Sequence, residues 1–361
     1  MNGKISSGEV MAICAAMVFA MFPGFANTLI LTHSKNASLI SLVISYVIGL
    51  IPILMIMYIS KKVDSNFFEF TKKNFKALGY ILDIILLLLA IFTMFISSWL
   101  ALDFIISQFL TRSSYYFIAI LISIILAITV NKGVESLSRT IFLLFIISVP
   151  IILLLLLALI PYVELDNLKP YIDVNVKEII HSSWVFLSVA ISPVIYILGL
   201  KNITKDKKNF SRKIIIGYSI SSFLIFVLLF FIISVYGIDL GSLLTYPVYG
   251  LFKKVQIFGF IERIENFAAI FLITAYFSQF AYLVYAVKNN ISDMFKIKSE
   301  KKKRVMTYII AIIMPLISIY LFKTYELTLF VEYVPYILSS SFIILIIVFI
   351  RSLFIKTSNS H

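Results

Sequence analysis

Two places in this sequence put helix-breaking residues inside otherwise uncharged apolar runs. The first is Phe22-Pro23-Gly24 and the second is Ser192-Pro193. Proline lacks a backbone N–H and glycine leaves helical geometry at low cost, so both places predict peptide groups without helical partners. Hydrocarbon cannot pair with such groups, whereas a cavity, water, a side chain or a ligand can. The predicted chemistry is binding of a small polar solute, with a carboxylate at amide-rich helix N-termini or a cation at carbonyl-rich C-termini.

Side chains near these breaks form the predicted ligand-binding set. Its members lie within or beside the two breaks, or on the third and eighth apolar runs. They are Phe22, Pro23, Gly24, Phe25, Asn27, Ser97, Ser98, Ser192, Pro193, Tyr196, Ser278 and Gln279. Small hydroxyl residues also pack membrane helices together, and packing is the alternative for each serine. His181 and Trp184 are expected to be anchors at a membrane surface.

The same residues exclude most catalytic chemistry. No Asp, Glu, Lys or Arg lies near the middle of an apolar run, where one charge would cost about 2.5–3.5 kcal/mol. Asp83 and Asp103 lie on the third run, which is about 42 Å long at about 1.5 Å per residue, so both are expected to reach an interface. Cys14 is the single cysteine, and no paired carboxylates, histidine cluster or phosphate loop is found. The sequence therefore predicts no enzyme, no cofactor and no metal site.

Ten apolar runs are predicted to form the helices that position the predicted ligand-binding set. The chain is 61% hydrophobic and 14% charged, with a mean hydropathy of +1.03, which is typical of a polytopic membrane protein and not of a soluble domain. We predict an all-α protein. The expected transmembrane helices cover residues 10–32, 37–59, 80–107, 114–130, 140–161, 180–200, 214–236, 263–287, 305–322 and 331–350.

The distribution of basic residues predicts the orientation of these helices. The loops on the side of the N-terminus, together with the C-terminal tail, hold 23 of the 31 Lys and Arg residues. By the positive-inside rule both termini face the cytoplasm. The net charge of +13 is therefore assigned to orientation, and membrane lipids rather than nucleic acid are the expected contacts. Docking of anionic lipid or of a partner protein on the basic loops is the alternative.

Ten spans divide into two sets of five that must cross the membrane in opposite senses. We predict an inverted repeat in one membrane domain, with residues 1–161 as the first set and 180–350 as the second. Spans one and six, which carry the breaks, occupy corresponding positions in the two sets. The aromatic segment 237–262 is expected to form an interfacial helix or a partial lid, with simple packing as the alternative.

Several short motifs resemble one known family. They are Lys4-Ile5-Ser6-Ser7, the run Gly133-Val134-Glu135-Ser136-Leu137-Ser138-Arg139, Asn167-Leu168-Lys169-Pro170, and Phe260-Ile261-Glu262-Arg263-Ile264-Glu265. The chain resembles the B subunits of spore germination receptors, within the amino acid, polyamine and organocation transporter superfamily. Glu262, Arg263 and Glu265 form the most specific motif. The resemblance implies a leucine-transporter-like fold with broken helices one and six.

The same resemblance implies a function and partners. A nutrient germinant receptor in the inner membrane of the spore would bind a small germinant such as an amino acid. Its partners would be an A-type subunit and a C-type subunit, the latter a lipoprotein. One departure from the family is that Met21 and Phe22 stand where relatives usually carry a Gly-x-Gly-like stretch, which implies a different ligand or an altered site. An amino acid or cation permease of the same fold is the alternative function.

Overall fold

A computed structural model of the chain describes residues 4–63, 67–172, 174–255, 265–322 and 331–355, and these are helical almost throughout. The α-helices are α1 (Ser7–Phe19), α2 (Asn27–Ser34), α3 (Ser38–Lys62), α4 (Phe67–Phe75), α5 (Ala77–Gln108), α6 (Tyr115–Asn131), α7 (Val134–Ala158), α8 (Val176–Ile191), α9 (Phe210–Leu243), α10 (Pro247–Lys253), α11 (Glu265–Met294), α12 (Glu300–Leu321) and α13 (Val334–Leu353). A 3-10 helix, Ser192–Ile203, continues directly from α8.

Eight helical stretches among the described residues are long and apolar enough to cross a membrane. One of them, Ser7–Lys62, is 56 residues long. At about 1.5 Å per residue it measures about 84 Å, too long for one crossing of a hydrocarbon core about 30 Å thick. Lys35, with a φ of 45°, divides it into a first span, α1 with α2, and a second span, α3. The shorter apolar helix α6 adds one more. These ten segments overlap the ten predicted spans, so the all-α prediction is confirmed.

The helices that carry the predicted site lie at the centre of the bundle. Almost every residue of α1 from Val10 onward is buried, as is most of α8. Outer helices bury only one face, and Leu154 of α7 and Ile343 of α13 are 67% and 61% exposed. Such side chains are stable against lipid tails, which are as apolar as leucine. The interrupted spans are therefore shielded from lipid by their neighbours.

Local contacts fix the start of the first span. Ser6 and Glu9 form a capping box, in which each side chain accepts a hydrogen bond from the backbone N–H of the other. The Ile5 N–H donates to the Ile203 carbonyl at 2.9 Å, and the Lys205 N–H donates to the Ile5 carbonyl at 2.8 Å. The start of the first span and the end of the sixth therefore share one end of the bundle, called here the N-terminal end.

The amphipathic helix α4 covers the start of α5 at the N-terminal end. Phe67 and Phe68 are buried, and the Thr71 hydroxyl donates to the Asp83 carboxylate at 2.6 Å. Asp83 is fully buried. The carboxylate is therefore covered by α4, and the expectation that Asp83 reaches a membrane interface stays a prediction.

Contacts between helices fall into pairs that interchange when the two predicted five-helix sets are interchanged. The helix α1 packs on α9 as α8 packs on α3, and α1 packs on α7 as α8 packs on α13. Packing of α5 on α12 corresponds in the same way to packing of α11 on α6. An inverted repeat predicts this correspondence. The division into residues 1–161 and 180–350 stays a prediction, and the paired contacts support it.

Candidate functional site

The first span is interrupted between α1 and α2. Pro23 has φ −72° and ψ 119°, and Gly24 has φ 90° and ψ −2°, so neither residue continues a helix. Glycine adopts a positive φ at low cost because it has no Cβ. The interruption therefore lies where the Pro-Gly pair predicted it, and helical geometry resumes before Asn27.

Two peptide groups at this interruption are paired within the protein. The Gly24 N–H donates to Asn27 Oδ1 at 3.2 Å, and the Pro23 carbonyl accepts a hydrogen bond from the Tyr276 hydroxyl of α11. Side chains of α2 and α11, one of the kinds of partner expected for such groups, therefore hold these two peptide groups.

One tyrosine covers the first break. A Cβ placed on Gly24 would lie 2.4 Å from Cε1 of Tyr246. The Tyr246 hydroxyl donates to one carboxylate oxygen of Asp103 at 2.8 Å, and the Tyr115 hydroxyl donates to the other at 3.1 Å. Tyr246 directly precedes α10, which packs against the broken segment and against α11. The described part of segment 237–262 therefore packs against the break, and a lid function stays a prediction.

The sixth span changes its hydrogen-bond pattern after Ile191. It continues as a twelve-residue 3-10 helix, although such helices rarely exceed three or four residues. The Tyr196 hydroxyl donates to the Leu86 carbonyl, and the Tyr196 carbonyl accepts from the Tyr282 hydroxyl, each at 2.8 Å. The backbone angles at Ile191 and Ser192 remain helical. The predicted second break is therefore a change of helix type, with helical backbone angles at the junction.

Buried polar atoms without a protein partner occur on the elements around both breaks. Among them are Asn27 Nδ2, Ser188 Oγ, Ser192 Oγ, Ser278 Oγ and Gln279 Oε1. Each unpaired buried group costs about 1–3 kcal/mol. The Gln279 amide nitrogen is already committed, because it donates to the Met17 carbonyl at 3.2 Å. The segments that carry these atoms contact one another, so a polar solute bound among them would recover part of the cost.

Two of the cavities that adjoin these elements are lined by a residue of the predicted ligand-binding set, Tyr196 in one and Ser278 in the other. One of about 170 Å³ lies between the 3-10 helix and α11 at the N-terminal end, with one wall formed by α4. Its polar lining includes Tyr196, Asn202, Tyr282 and Asn289. A cavity of about 150 Å³ accepts a molecule the size of benzene, so a small solute fits here. The other cavity, of about 30 Å³, lies beside Ser278 among α1, α7, α9 and α11 and has the size of a water molecule.

The two predicted site serines of the third span have other partners. The Ser97 hydroxyl donates to the Thr93 carbonyl of its own helix at 2.8 Å. Ser98 bonds to Ser318 of α12 at 3.3 Å. Neither hydroxyl is bonded to either break. The contact of Ser98 with α12 fits the packing alternative, and ligand binding by the two serines stays a prediction.

The remaining predicted residues divide between the core and the edge of the described structure. Three are buried apolar residues at the breaks: Phe22, Phe25 and Pro193. Glu265 is the first residue of α11. Glu262 and Arg263 lie outside the described residues, so the motif that they form with Glu265 stays a sequence observation.

Three residues with important contacts, Tyr246, Tyr282 and Asp103, are not distinguished by the sequence alone. The aromatic content of segment 237–262 does not distinguish Tyr246, and Tyr282 is absent from the predicted ligand-binding set. Asp103 was expected only to reach an interface. Their importance comes from contacts between distant parts of the chain, and the aromatic content of segment 237–262 points only to Tyr246.

The chain can now be compared with known proteins. A family model described as spore germination protein matches residues 4–327. The chain belongs to this family. The match confirms the resemblance found in the short motifs.

Two relatives come from Bacillus subtilis (strain 168). Spore germination protein YndE is 24% identical over 172 residues, which are 47% of this chain and 47% of the relative. Spore germination protein KB is 25% identical over 185 residues, which are 50% of this chain and 49% of the relative. The chain spans about half the length of the curated relatives it matches.

Two solved transporters share the fold. A Na⁺-coupled sialic acid symporter in a substrate-bound outward-open state superimposes with a TM-score of 0.71 at 13% identity, covering 96% of this chain and 79% of the symporter. The nucleobase-cation-symport-1 family transporter Mhp1, in a closed conformation, gives a TM-score of 0.64 at 14% identity, covering 94% and 76%. The leucine-transporter-like fold and the integral membrane location are confirmed. Family and neighbours are permease-like proteins and not enzymes, as predicted.

Proposed function

We propose that this chain is the membrane subunit of a nutrient germinant receptor, which binds a small germinant such as an amino acid and triggers spore germination. Family membership supports the role in germination, and the transporter fold supports recognition of a small solute. The observation that carries the proposal is the group of unpaired buried polar atoms around the two breaks. Ser192 in this group lies about one helical turn from Tyr196, which lines the cavity of about 170 Å³.

The chemistry of this region fits a solute that carries both an ammonium and a carboxylate group. The rings of Tyr196 and Tyr282 are available for cation–π contacts, and the carbonyl-rich end of the sixth span carries partial negative charge. Donors available to a carboxylate are the Asn27 amide and the Ser192 hydroxyl. Both kinds of partner are needed, because each charge loses hydration on leaving water.

The receptor proposal also includes a location and partners. The chain would act in the inner spore membrane with an A-type subunit and a C-type lipoprotein subunit, and with both termini in the cytoplasm. The excess of Lys and Arg in the loops at the N-terminal end supports this orientation. Those basic loops also offer a charged surface to a partner at the cytoplasmic face.

A permease for an amino acid or a cation is the second candidate, because transporters share this fold. Deletion of the coding sequence separates the two functions when germination is tested against a panel of amino acids and uptake is measured in parallel. The receptor proposal predicts loss of germination with at least one nutrient. Normal germination with every nutrient, together with lost uptake of one amino acid, would assign the chain to transport.

A pair of serine substitutions tests the proposed site. Ser192→Ala removes a buried hydroxyl that is available to the germinant, whereas Ser97→Ala removes a hydroxyl that is bonded within its own helix. A lost hydrogen bond of about 1.4 kcal/mol raises the required germinant concentration about tenfold. We expect this increase for Ser192→Ala and little change for Ser97→Ala, at equal amounts of folded protein. Equal responses of the two variants would place the germinant elsewhere.

A further inference from the structure

Two histidines and a glutamate meet at the end of the bundle opposite to the cavity. His33 lies in the last turn of α2, and Glu178 and His181 lie in the first two turns of α8. His33 Nδ1 is 3.3 Å from Glu178 Oε2, and the two imidazole rings are in edge contact with their centroids 4.5 Å apart. One ligand atom from each of the three residues lies within 4.8 Å of the other two. The sequence predicted no metal site, because only packing of α2 on α8 brings these residues together.

Two further features of this cluster are typical of metal-binding residues. His181 Nδ1 is shielded from solvent and has no hydrogen-bond partner, while Nε2 of the same ring pairs with the Tyr336 hydroxyl at 3.0 Å. Metal-binding histidines commonly bind the ion through one ring nitrogen and are oriented by a hydrogen bond at the other. The side chains of His33 and Glu178 are 27% and 42% exposed, so an ion in solution can reach them.

The donor atoms select a class of ion. Two imidazoles and one carboxylate, with water in the fourth position, form a common zinc set. Imidazole suits zinc, copper and nickel, whereas magnesium and calcium prefer oxygen ligands. With metal–ligand bonds of about 2.0–2.1 Å, tetrahedral ligand atoms lie about 3.3 Å apart. The His33–Glu178 pair already has this separation, and the other ligand atoms need only to close from 4.8 Å or less.

We propose that His33, Glu178 and His181 bind a divalent transition-metal ion of the zinc class, with Tyr336 as a positioning residue for His181. The ion joins α2, which follows the first break, to α8, which precedes the change of helix type in the sixth span. The Ser34 hydroxyl already donates to the Glu178 carbonyl at 3.3 Å, so the two helices are in contact before the ion binds. The bound ion fixes the distance between these two segments.

Metal binding by the full-length chain, purified without a histidine tag, tests the proposal. Co²⁺ serves as the spectroscopic probe and Zn²⁺ as its competitor. We expect one Co²⁺ per chain with a visible absorption spectrum of nitrogen and oxygen ligation, displaced by Zn²⁺ but not by excess Mg²⁺ or Ca²⁺. His33→Ala, His181→Ala and Glu178→Gln should each weaken binding more than Tyr336→Phe, for which the expected loss is about tenfold, as for an outer-shell partner.

His361→Ala is the matched control, because His361 is the third histidine of the sequence. Its metal affinity should equal that of the unaltered chain. Circular dichroism identifies any variant that fails to fold, and Glu178→Gln and Tyr336→Phe, which preserve side-chain size, then decide the outcome. The proposal is overturned if the unaltered chain binds no Co²⁺. Equal binding by the folded cluster variants, or loss of binding only in His361→Ala, also overturns it.

Discussion

Substitution of Gly24 by alanine should destabilise the fold through two separable effects. The φ of 90° costs a residue with a Cβ about 1–3 kcal/mol. The added Cβ would lie 2.4 Å from Cε1 of Tyr246. Such overpacking lowers the free energy of unfolding by a further amount of about 1–3 kcal/mol. Gly133→Ala is the matched control, because Gly133 has a φ of 97° and nothing within 4 Å of an added Cβ. We expect losses of about 2–6 kcal/mol at Gly24 and about 1–3 kcal/mol at Gly133.

Denaturation of the purified chain in mixed micelles, followed by circular dichroism, measures these losses. Tyr246→Ala completes a double-mutant cycle with Gly24→Ala. The ring can no longer obstruct the Cβ in the double variant, so the combined loss should be smaller than the sum of the single losses by about 1–3 kcal/mol. Additive losses, or equal losses for Gly24→Ala and Gly133→Ala, would refute the contact between Tyr246 and the first break.

Three further changes test other contacts by their effect on stability. Asp103→Asn removes the charge that strengthens the hydrogen bond from Tyr246, and should lower the free energy of unfolding by about 1 kcal/mol in a denaturation series. Tyr282→Phe removes the donor to the Tyr196 carbonyl and should cost about 0.5–1.5 kcal/mol, measured in the same way. Ser6→Ala removes a helix cap at a cost of about 0.5–2 kcal/mol, and faster amide hydrogen exchange confined to the first turns of α1 would reveal it.

The positions of the spans follow from the sequence because bilayer thickness sets the length of an apolar helix. The interruption at Pro23 and Gly24 follows for a similarly local reason, since both residues act on their own backbone. The side chains that contact this interruption cannot be predicted locally, because Tyr246 and Tyr276 reach it only after distant helices have packed.

The conformation of the sixth span after Pro193 does not follow from the local sequence alone. Proline at Pro193 predicts a disturbed helix, but the neighbouring packing decides whether the chain unwinds or tightens. Here the Tyr196 carbonyl and hydroxyl are both held by other helices, and the chain tightens into a 3-10 helix. The cluster of His33, Glu178 and His181 likewise forms only when α2 packs on α8, so the spacing of these residues along the chain does not predict it.

The backbone pairing of Ile5 with Ile203 and Lys205 at the end of the sixth span has a mechanical consequence. Tyr196 in the cavity wall belongs to the same 3-10 helix as Ile203, and Ile203 is bonded to Ile5. An axial displacement of that helix by an occupant of the cavity therefore moves the residues around Ile5 as well. Such a displacement would therefore be transmitted to the surface of the N-terminal end through these backbone hydrogen bonds.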